Sequence, residues 1–372
     1  MPDPLLFTPL RIRNCELRNR IVVSPMCQYQ AVDGHMQDWH FIHHGRLVLG
    51  GPAAVFVEAT GVTRHGRITH GCTGIYDDTH IAGLRRIADL HHKYGALSGI
   101  QLAHAGRRAS ATRPWDGARA LTAADGEEPW GTVGPSPLPE KDGNPVPHPL
   151  TEAEIDEIVQ SFVAAAWRAL AAGFDIVEVH GAHGYLLHSF FSPIANQRTD
   201  QFGGSLENRM RLPLMVTAAI RRVWPEDKPL FYRVSAIDGV EGGVTIEDTV
   251  ALARQLKSIG VDVVDCSSGG IAGSVTLSGR RLKPGFQVPY AAAVRRGANI
   301  ATMAVGAILD GPQAEQILAA GDADLIALGR ELLADPNWPF HAAEALKIEN
   351  PYAVLPKYYG FYLERRAAVL DR

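Results

Sequence analysis

The sequence predicts an α/β fold, a (β/α)8 barrel with a capping excursion after the third strand, and three observations support this prediction. Eight short apolar runs recur along the chain, and buried parallel strands have this near-continuous apolar character. Helix-length intervals separate most of the runs, and one much longer interval follows the third. The runs are IVVSPM, AAVFVEAT, ALSGIQLAH, DIVEVH, LFYRVS, DVVDCS, IATMAV and DLIALGR.

A repeated unit of helix, glycine and strand explains the order of these runs. Apolar residues recur at helical spacing from Thr79 to Gly95, which precedes ALSGIQLAH. Thr151 and Glu154 form a capping box, and Gly173 ends that helix before DIVEVH. A doubly wound sheet is the competing architecture, but it normally has fewer strands and a GxGxxG motif after the first. Two further units follow. One helix begins at Thr245 and ends at Gly260, and the other begins at Pro312 and ends at Gly321.

The interval 105–150 is too long for a plain crossover and is rich in Pro, Gly and charge. A long loop in a compact domain is usually a functional lid or disordered. Trp115, Trp130 and Leu138 give this one apolar side chains to pack, so we expect an ordered cap over the barrel mouth. We expect a single domain over 1–372 that includes this cap.

Composition favours a protein that acts on a small molecule. Of the 372 residues, 36 are basic and 40 acidic, which gives a formal charge of -4. No basic stripe or block of like charges is present, so nucleic acid and anionic membrane surfaces are disfavoured as partners. The content of 46% hydrophobic residues is that of an ordinary globular enzyme.

Cysteine usage and the N-terminal residues predict a cytoplasmic protein. The cysteines are far apart without a CxxC pair, which argues against a zinc cage or a disulfide framework. The segment MPDPLLFTPLRIRN lacks the pattern of a secretory signal, and no window approaches the roughly 18 apolar residues of a membrane span. The four cysteines are Cys15, Cys27, Cys72 and Cys266.

In a barrel enzyme the catalytic residues lie at the carboxyl ends of the strands. Glycines after the last three strands, with Arg330, suggest a phosphate site, while Gln101 and Arg233 suit a planar heterocycle. Together they predict a mononucleotide cofactor. Each feature also has a simpler interpretation, namely a turn, a core amide or a surface ion pair. Asp265 and Glu178 lie inside apolar runs, where a structural role is at least as plausible.

Three motifs carry a resemblance to a known family: SPMCQY, HGAHGYLLHSFFSP and NQRTDQFGGSLENRMRLP. The chain resembles the Old Yellow Enzyme family of flavin-dependent ene-reductases across essentially its whole length. Cys27 points to the thermophilic-like and xenobiotic-reductase subgroup. The resemblance implies non-covalent FMN, with NADPH or NADH as reductant. It implies cofactor contacts from Ser24, Pro25, Met26, Cys27, Ala59, Gln101 and Arg233 around the isoalloxazine, and from Ser268, Gly269, Gly306, Gly329 and Arg330 at the phosphate end.

In the ene reduction that this resemblance implies, the HGAHGY motif would supply an oxyanion clamp followed by a proton donor. His180 and His183 would direct N–H groups at an oxygen that becomes enolate-like, and Tyr185 would protonate the α-carbon. Cys27 would modulate the flavin potential, and Tyr29 would line the substrate pocket. HxxH can instead chelate a metal, but this one contains a glycine, follows a strand and lacks the glutamate of a zincin helix.

Other histidines have simpler interpretations. His183 and Tyr185 could be satisfied core residues, and we expect His188 to be packing. The cluster HFIHH, residues 40–44, lies in a helical pattern without carboxylates and is expected to be structural.

The expected activity is a ping-pong reduction in which NADPH or NADH delivers hydride to FMN and an activated alkene, an unsaturated carbonyl or nitro compound, then takes it. One alternative is a xenobiotic reductase for nitro compounds or nitrate esters. A metal-dependent hydrolase on the same barrel, or a flavin-binding module without alkene turnover, are the others.

The C-terminal segment 356–372 is too aromatic for a free tail. Aromatic and arginine side chains are enriched in interface cores. A strap across its own barrel is one explanation. In the subgroup that the chain resembles, this segment enters the neighbouring subunit's pocket, which makes Tyr362 and Arg365 the candidates here. We therefore expect a homodimer or a dimer-based tetramer.

Overall fold

The computed structural model describes residues 4–272 and 282–370, and a closed barrel of eight parallel strands forms its centre. Each strand pairs with the next along the chain, and the last pairs with the first. The predicted (β/α)8 fold is therefore confirmed. The strands are β1 (Ile21–Val23), β2 (Ala54–Gly61), β3 (Leu97–Ala103), β4 (Ile176–Gly181), β5 (Leu230–Ser235), β6 (Val263–Ser267), β7 (Ala301–Ala304) and β8 (Leu325–Leu328).

Helices surround the barrel, and their ends follow the predicted signals. Thr151 and Thr245 each accept a hydrogen bond from the backbone N–H three residues on, and Gly173 ends its helix in the left-handed conformation. The helices are α1 (Asp38–Val48), α2 (Ile81–Lys93), α3 (Glu152–Ala172), α4 (Leu186–Phe191), α5 (Leu206–Val223), α6 (Ile246–Ser258), α7 (Val288–Ala298), α8 (Gly311–Ala319), α9 (Arg330–Ala334), α10 (Trp338–Ala345) and α11 (Lys357–Val369).

Short elements complete the described part of the chain. An antiparallel hairpin, Leu10–Ile12 with Cys15–Leu17, precedes the barrel. The cap contains two paired short strands, Val133–Gly134 and His148–Pro149. Among the described helices, none is both long and apolar enough to cross a membrane. The 3-10 helices are Leu5–Phe7, Arg64–Gly66, Asp78–His80, Gly106–Arg108, Pro114–Asp116, Ala123–Asp125 and Pro351–Val354.

Alternation along the strands separates two apolar layers. One face packs against the helices, and the other fills the lower barrel with residues such as Phe56, Ile176, Phe231 and Val263. Since side chains alternate along a strand, the next inward positions lie nearer the carboxyl ends. Those positions are polar, so the apolar floor supports a polar layer beneath the mouth.

A β-bulge in β2 interrupts the alternation. The pairing of β2 with β3 shifts between Val57 and Ala59, so Glu58 is the extra residue. Phe56 belongs to the inner layer, and strict alternation would turn Glu58 inward as well. Ala59 instead pairs with Gln101. The bulge therefore takes a carboxylate out of the barrel interior.

Residues 105–150 fold back over the mouth and are held by polar contacts. Arg107 donates to the Ile271 carbonyl at 2.7 Å, and the backbone N–H of Gln197 donates to Ser136 at 2.8 Å. Trp130 donates its indole N–H to the His65 carbonyl at 2.9 Å. Trp115 is largely exposed, although its ring packs edge-on against Tyr29.

Candidate active site

Four neighbouring strands carry the polar layer above the apolar floor. Pairing places Gln101 of β3 beside Glu178 of β4, His180 beside Arg233 of β5, and Arg233 beside Asp265 of β6. All five residues are buried. The mouth of the barrel therefore has a floor of paired charges and amides directly below the two imidazoles.

His180 and His183 lie almost perpendicular to each other, with ring centroids 5.1 Å apart. His183 Nε2 is 2.7 Å from the Ser267 hydroxyl, and its backbone N–H donates to Ser235 at 2.9 Å. Nδ1 of His180 is buried without a hydrogen-bond partner in the described chain. Burial, with the nearby charge of Arg233, lowers the pKa of both imidazoles well below the usual value. Both are therefore neutral at physiological pH.

Tyr185 precedes α4 and lies beside the imidazoles, its ring centroid 5.0 Å from that of His180. Burial raises the pKa of its phenol above the ordinary value, although the Arg108 guanidinium partly opposes this shift. Tyr185 consequently keeps its proton at neutral pH. The structure brings His180, His183 and Tyr185 together, as the sequence predicts.

The backbone of the HGAHGY loop fits only a small residue at Gly184. Its φ is +75°, and a Cβ there would lie 2.2 Å from the Gly270 carbonyl oxygen. The Gly184 N–H donates to His188 Nδ1 at 2.8 Å, and His188 Nε2 is 2.8 Å from an Asp238 oxygen. His188 is structural, as expected, but it acts through hydrogen bonds that fix this loop.

The loop after β1 brings Met26, Cys27 and Tyr29 to the same mouth. Tyr29 has a left-handed φ of 54°, and its ring lies edge-on to Trp115 with centroids 5.8 Å apart. Burial raises the pKa of the Cys27 thiol well above its usual value, and the Glu58 charge adds to the shift. Cys27 is thus a neutral thiol, and Trp115 of the cap reaches the pocket that Tyr29 was predicted to line.

Gln101 and Arg233, the predicted contacts of a flavin pyrimidine edge, are each held by a buried carboxylate. Gln101 Nε2 donates to Glu178 at 2.7 Å, which fixes the orientation of the amide. Arg233 Nε lies 3.0 Å from Asp265, and a second nitrogen lies 3.4 Å from the Ser24 hydroxyl. Glu178 Oε2 and both Asp265 oxygens lack a well-aligned hydrogen-bond donor in the described chain. These residues fit an FMN ring, since they offer fixed polar groups beneath the mouth.

A cavity of about 320 Å³ opens at the ends of β7 and β8. Gly306, Gly329 and Arg330 line it, and a Cβ at Gly306 would lie 2.7 Å from Gln287 Nε2. Its place between the last two strands suits a phosphate. The structure groups these three predicted contacts, but Ser268 and Gly269 do not line the cavity. Ser268 donates to Gln287 at 2.8 Å, and the Gly269 N–H donates to the Ile237 carbonyl.

Arg108 is the main site residue that the sequence analysis missed. One of its nitrogens donates to the carbonyls of His183 and Gly270 at 2.7 and 2.6 Å, and another lies 3.0 Å from Glu140 of the cap. Its guanidinium carbon lies 5.7 Å from the centre of the Tyr185 ring. The signal was its position, because HAGRR directly follows the third strand.

Tyr362 and Arg365 do not join the site of their own chain. Both lie on α11, where Tyr362 is 71% exposed and Arg365 stacks 4.4 Å from the Phe361 ring centre. No group of three metal-ligating side chains is present within 4–272 and 282–370.

Known proteins that this chain is similar to belong to a family of flavin oxidoreductases. A family model for the NADH:flavin oxidoreductase / NADH oxidase family matches residues 5–349. The NADPH dehydrogenase of Geobacillus sp. (strain WCH70) is 45% identical over 346 residues, 92% of this chain and 95% of that protein. The chain belongs to the Old Yellow Enzyme family. It is an NAD(P)H-dependent flavin oxidoreductase, and its cofactor is FMN.

Solved structures of Old Yellow Enzyme relatives share its fold. Morphinone reductase is 26% identical with a TM-score of 0.75, over 93% of this chain and 90% of that chain. A 2-naphthoyl-CoA reductase complex is also 26% identical, with a TM-score of 0.81 over 94% of this chain. The match spans 53% of that longer protein, so it concerns the barrel that both share.

Proposed function

We propose that this protein is an ene-reductase that reduces α,β-unsaturated carbonyl or nitro compounds with NADPH or NADH. The observation that carries the proposal is the convergence of two neutral imidazoles and one protonated phenol at the barrel mouth. Two N–H donors aimed at one oxygen stabilise the negative charge that develops there. A phenol beside them supplies a proton to the neighbouring carbon.

Bound FMN would supply the hydride chemistry between the reduced nicotinamide and the alkene. Gln101 and Arg233 would hold its pyrimidine edge, with Ser24, Pro25, Met26, Cys27 and Ala59 around the ring. Gly306, Gly329 and Arg330 would hold its phosphate, with Ser268 and Gly269 as further candidates. Their own contacts support this assignment, because Glu178 and Asp265 fix Gln101 and Arg233 from below.

His180 and His183 would bind the substrate oxygen. Ser267 lies 2.7 Å from His183 Nε2, and by donating to that nitrogen it would leave Nδ1 as the N–H donor of the ring. As charge builds on the oxygen, the two rings stabilise it, and the α-carbon gains electron density. Tyr185 O–H then gives its proton to that carbon. Tyr29 and Trp115 would line the pocket on the opposite side.

The clamp also fits nitro compounds and nitrate esters. A nitro oxygen accepts hydrogen bonds from the same two donors and develops the same negative charge, so neutral imidazoles do not exclude it. Xenobiotic reduction is therefore a second use of the same site.

Anaerobic stopped-flow spectroscopy tests the proposal. We expect the purified protein to be yellow, to lose the flavin colour on addition of NADPH, and to regain it when an enone is added. His180→Ala with His183→Ala should slow the second step by several kcal/mol of barrier, about 10²–10³-fold, with little change in the first. A colourless protein that fails to bind FMN, or wild-type reoxidation in the double variant, would contradict it.

A further inference from the structure

Glu58 is a buried carboxylate that the chemistry above does not use. It is the extra residue of the bulge in β2, and it is 2% exposed. Bulges beside active sites redirect side chains. Here the bulge turns Ala59 toward Gln101 and leaves Glu58 facing the loop after β1.

Three groups from three different segments converge on this carboxylate. The backbone N–H of Gln28 donates to Oε2 at 2.7 Å, and the Thr73 hydroxyl donates to Oε1 at 3.1 Å. Nε2 of His40, on α1, lies 3.2 Å from Oε1. Burial of a carboxylate is costly unless hydrogen bonds compensate it, and both oxygens here have partners.

Gln28 is itself held on several sides. Its side-chain amide donates to the Met26 carbonyl at 2.8 Å and accepts from the Trp39 indole at 3.1 Å. It lies between Cys27 and Tyr29, which face the mouth. The hydrogen bond that the Gln28 N–H donates to Glu58 therefore fixes the backbone that carries the side chains of Cys27 and Tyr29.

We propose that Glu58 is a positioning residue that sets the geometry of Cys27 and Tyr29 through the backbone of Gln28. Tyr29 adopts a left-handed φ of 54°, which a side-chain-bearing residue keeps only when its surroundings hold it. Gly71 presses on the same residue from behind, since a Cβ there would lie 2.3 Å from the Tyr29 carbonyl oxygen. Glu58 supplies the polar half of this restraint.

The charge of Glu58 has a second effect on the same loop. A nearby negative charge disfavours a thiolate, and Glu58 contributes after burial to the raised pKa of Cys27. The other titratable groups near the thiol are Cys72, Tyr29 and Tyr185. Glu58 thereby adds to the effect of burial, which keeps Cys27 a neutral thiol.

Glu58→Ala and Glu58→Gln separate the two effects in the FMN-loaded enzyme. The first variant removes both the hydrogen bonds and the charge. The second keeps an oxygen for the Gln28 N–H, removes the charge and replaces the acceptor of the Thr73 hydroxyl with an amide NH2. The probes are the Kd of 4-hydroxybenzaldehyde and the pH profile of Cys27 alkylation by iodoacetamide, located by mass spectrometry. Glu157→Gln on the exposed face of α3 removes one charge far from the loop and is the matched control.

Glu58→Ala should raise the Kd of the phenol about tenfold, the effect of losing a buried hydrogen bond to a charged group. Glu58→Gln should bind the phenol within about threefold of wild type, yet its Cys27 should be alkylated at lower pH. Glu157→Gln should match wild type in both probes.

Wild-type Kd in folded Glu58→Ala, or an unchanged alkylation profile in Glu58→Gln, would overturn the proposal. If Glu58→Ala fails to fold, the pH dependence of Cys27 alkylation in Glu58→Gln decides the test. The inference rests on the proposed function in one respect, because the Kd test takes the phenol to bind between His180 and His183. The thiol profile needs no alkene turnover, so failure of the two proposals can be told apart.

Discussion

The Ser267 hydroxyl lies 2.7 Å from His183 Nε2, so this contact occupies one of the two ring nitrogens. Ser267 also lies 3.3 Å from Gln287 Oε1, but Ser268 donates to that oxygen at the shorter distance of 2.8 Å. We predict that the Ser267 proton is directed to His183 rather than to Gln287. A ring that accepts at Nε2 carries its proton on Nδ1, the form suited to donate to a substrate oxygen.

Ser267→Ala should weaken the clamp without removing it. Loss of one neutral hydrogen bond costs about 0.5–1.5 kcal/mol, so alkene reduction should slow roughly 2- to 12-fold. Flavin reduction by NADPH should change little. Stopped-flow rates of the two half-reactions measure both effects. Ser268→Ala is the control, and an equal slowing in that variant would mean that Ser267 does not act through the tautomer.

Tyr185→Phe should slow alkene reduction by about 10²–10⁴-fold, the usual contribution of a general acid. Reduction of the flavin by NADPH needs no proton from Tyr185 and should keep close to the wild-type rate. The pair of single-turnover rates, measured anaerobically, tests this separation. Equal losses in both half-reactions would indicate that Tyr185 serves only to pack the loop.

Glu178 should make stability fall as the pH rises. Burial, followed by the charge of Asp265, raises the pKa of Glu178 to about 8, above its ordinary value of 4.5. Between these values the folded protein holds a proton that the unfolded chain has lost. The stabilisation is complete below about pH 4.5 and disappears as the pH passes 8, with a slope of up to about 1.4 kcal/mol per pH unit.

Urea unfolding of wild type and Glu178→Gln between pH 5 and pH 8 measures this slope. Gln keeps an acceptor for the Gln101 amide but cannot titrate, so the difference in unfolding free energy between the two proteins isolates this group. His180 and His183 have the opposite effect on the unfolding free energy. Because their pKa values are lowered in the folded protein, stability is lost as the pH falls below about 6.5. A difference that is constant with pH would mean that Glu178 is ionised when buried.

The sequence predicted the barrel because the strands are short and apolar and most of them are separated by helix-length intervals. It predicted His180, His183 and Tyr185 because they follow one strand and match a specific motif. Glu58 was not foreseen, since simple alternation turns it inward and only the bulge reverses that. Arg108 was missed because its partners, two loop carbonyls and Glu140 of the cap, are distant in the sequence and cannot be identified from it.

Polar residues inside apolar runs are equally hard to interpret. For Glu178 and Asp265 the sequence made a structural role at least as plausible as a catalytic one, and each lies under a predicted cofactor contact. Their role depends on pairing between neighbouring strands, which sets Gln101 beside Glu178 and Arg233 beside Asp265. Composition within one strand carries no information about such pairs.

The exposed face of α11 leads to the last prediction, a homo-oligomer in which the C-terminal segment serves the neighbouring subunit. Tyr358 and Tyr362 are each 71% exposed, and Phe361 is 44% exposed, so the helix does not strap these rings against its own barrel. Aromatic side chains in such a row are typical of interface cores.

Deleting the chain after Pro356 should weaken dimerisation and raise KM together, as sedimentation and steady-state rates would show. Tyr362→Ala keeps the helix and tests whether one ring reaches the partner's pocket, in which case KM should rise while the mass in solution stays that of the oligomer. Arg365→Ala is the companion variant. A truncated protein with wild-type mass and wild-type KM would show that the segment serves neither purpose.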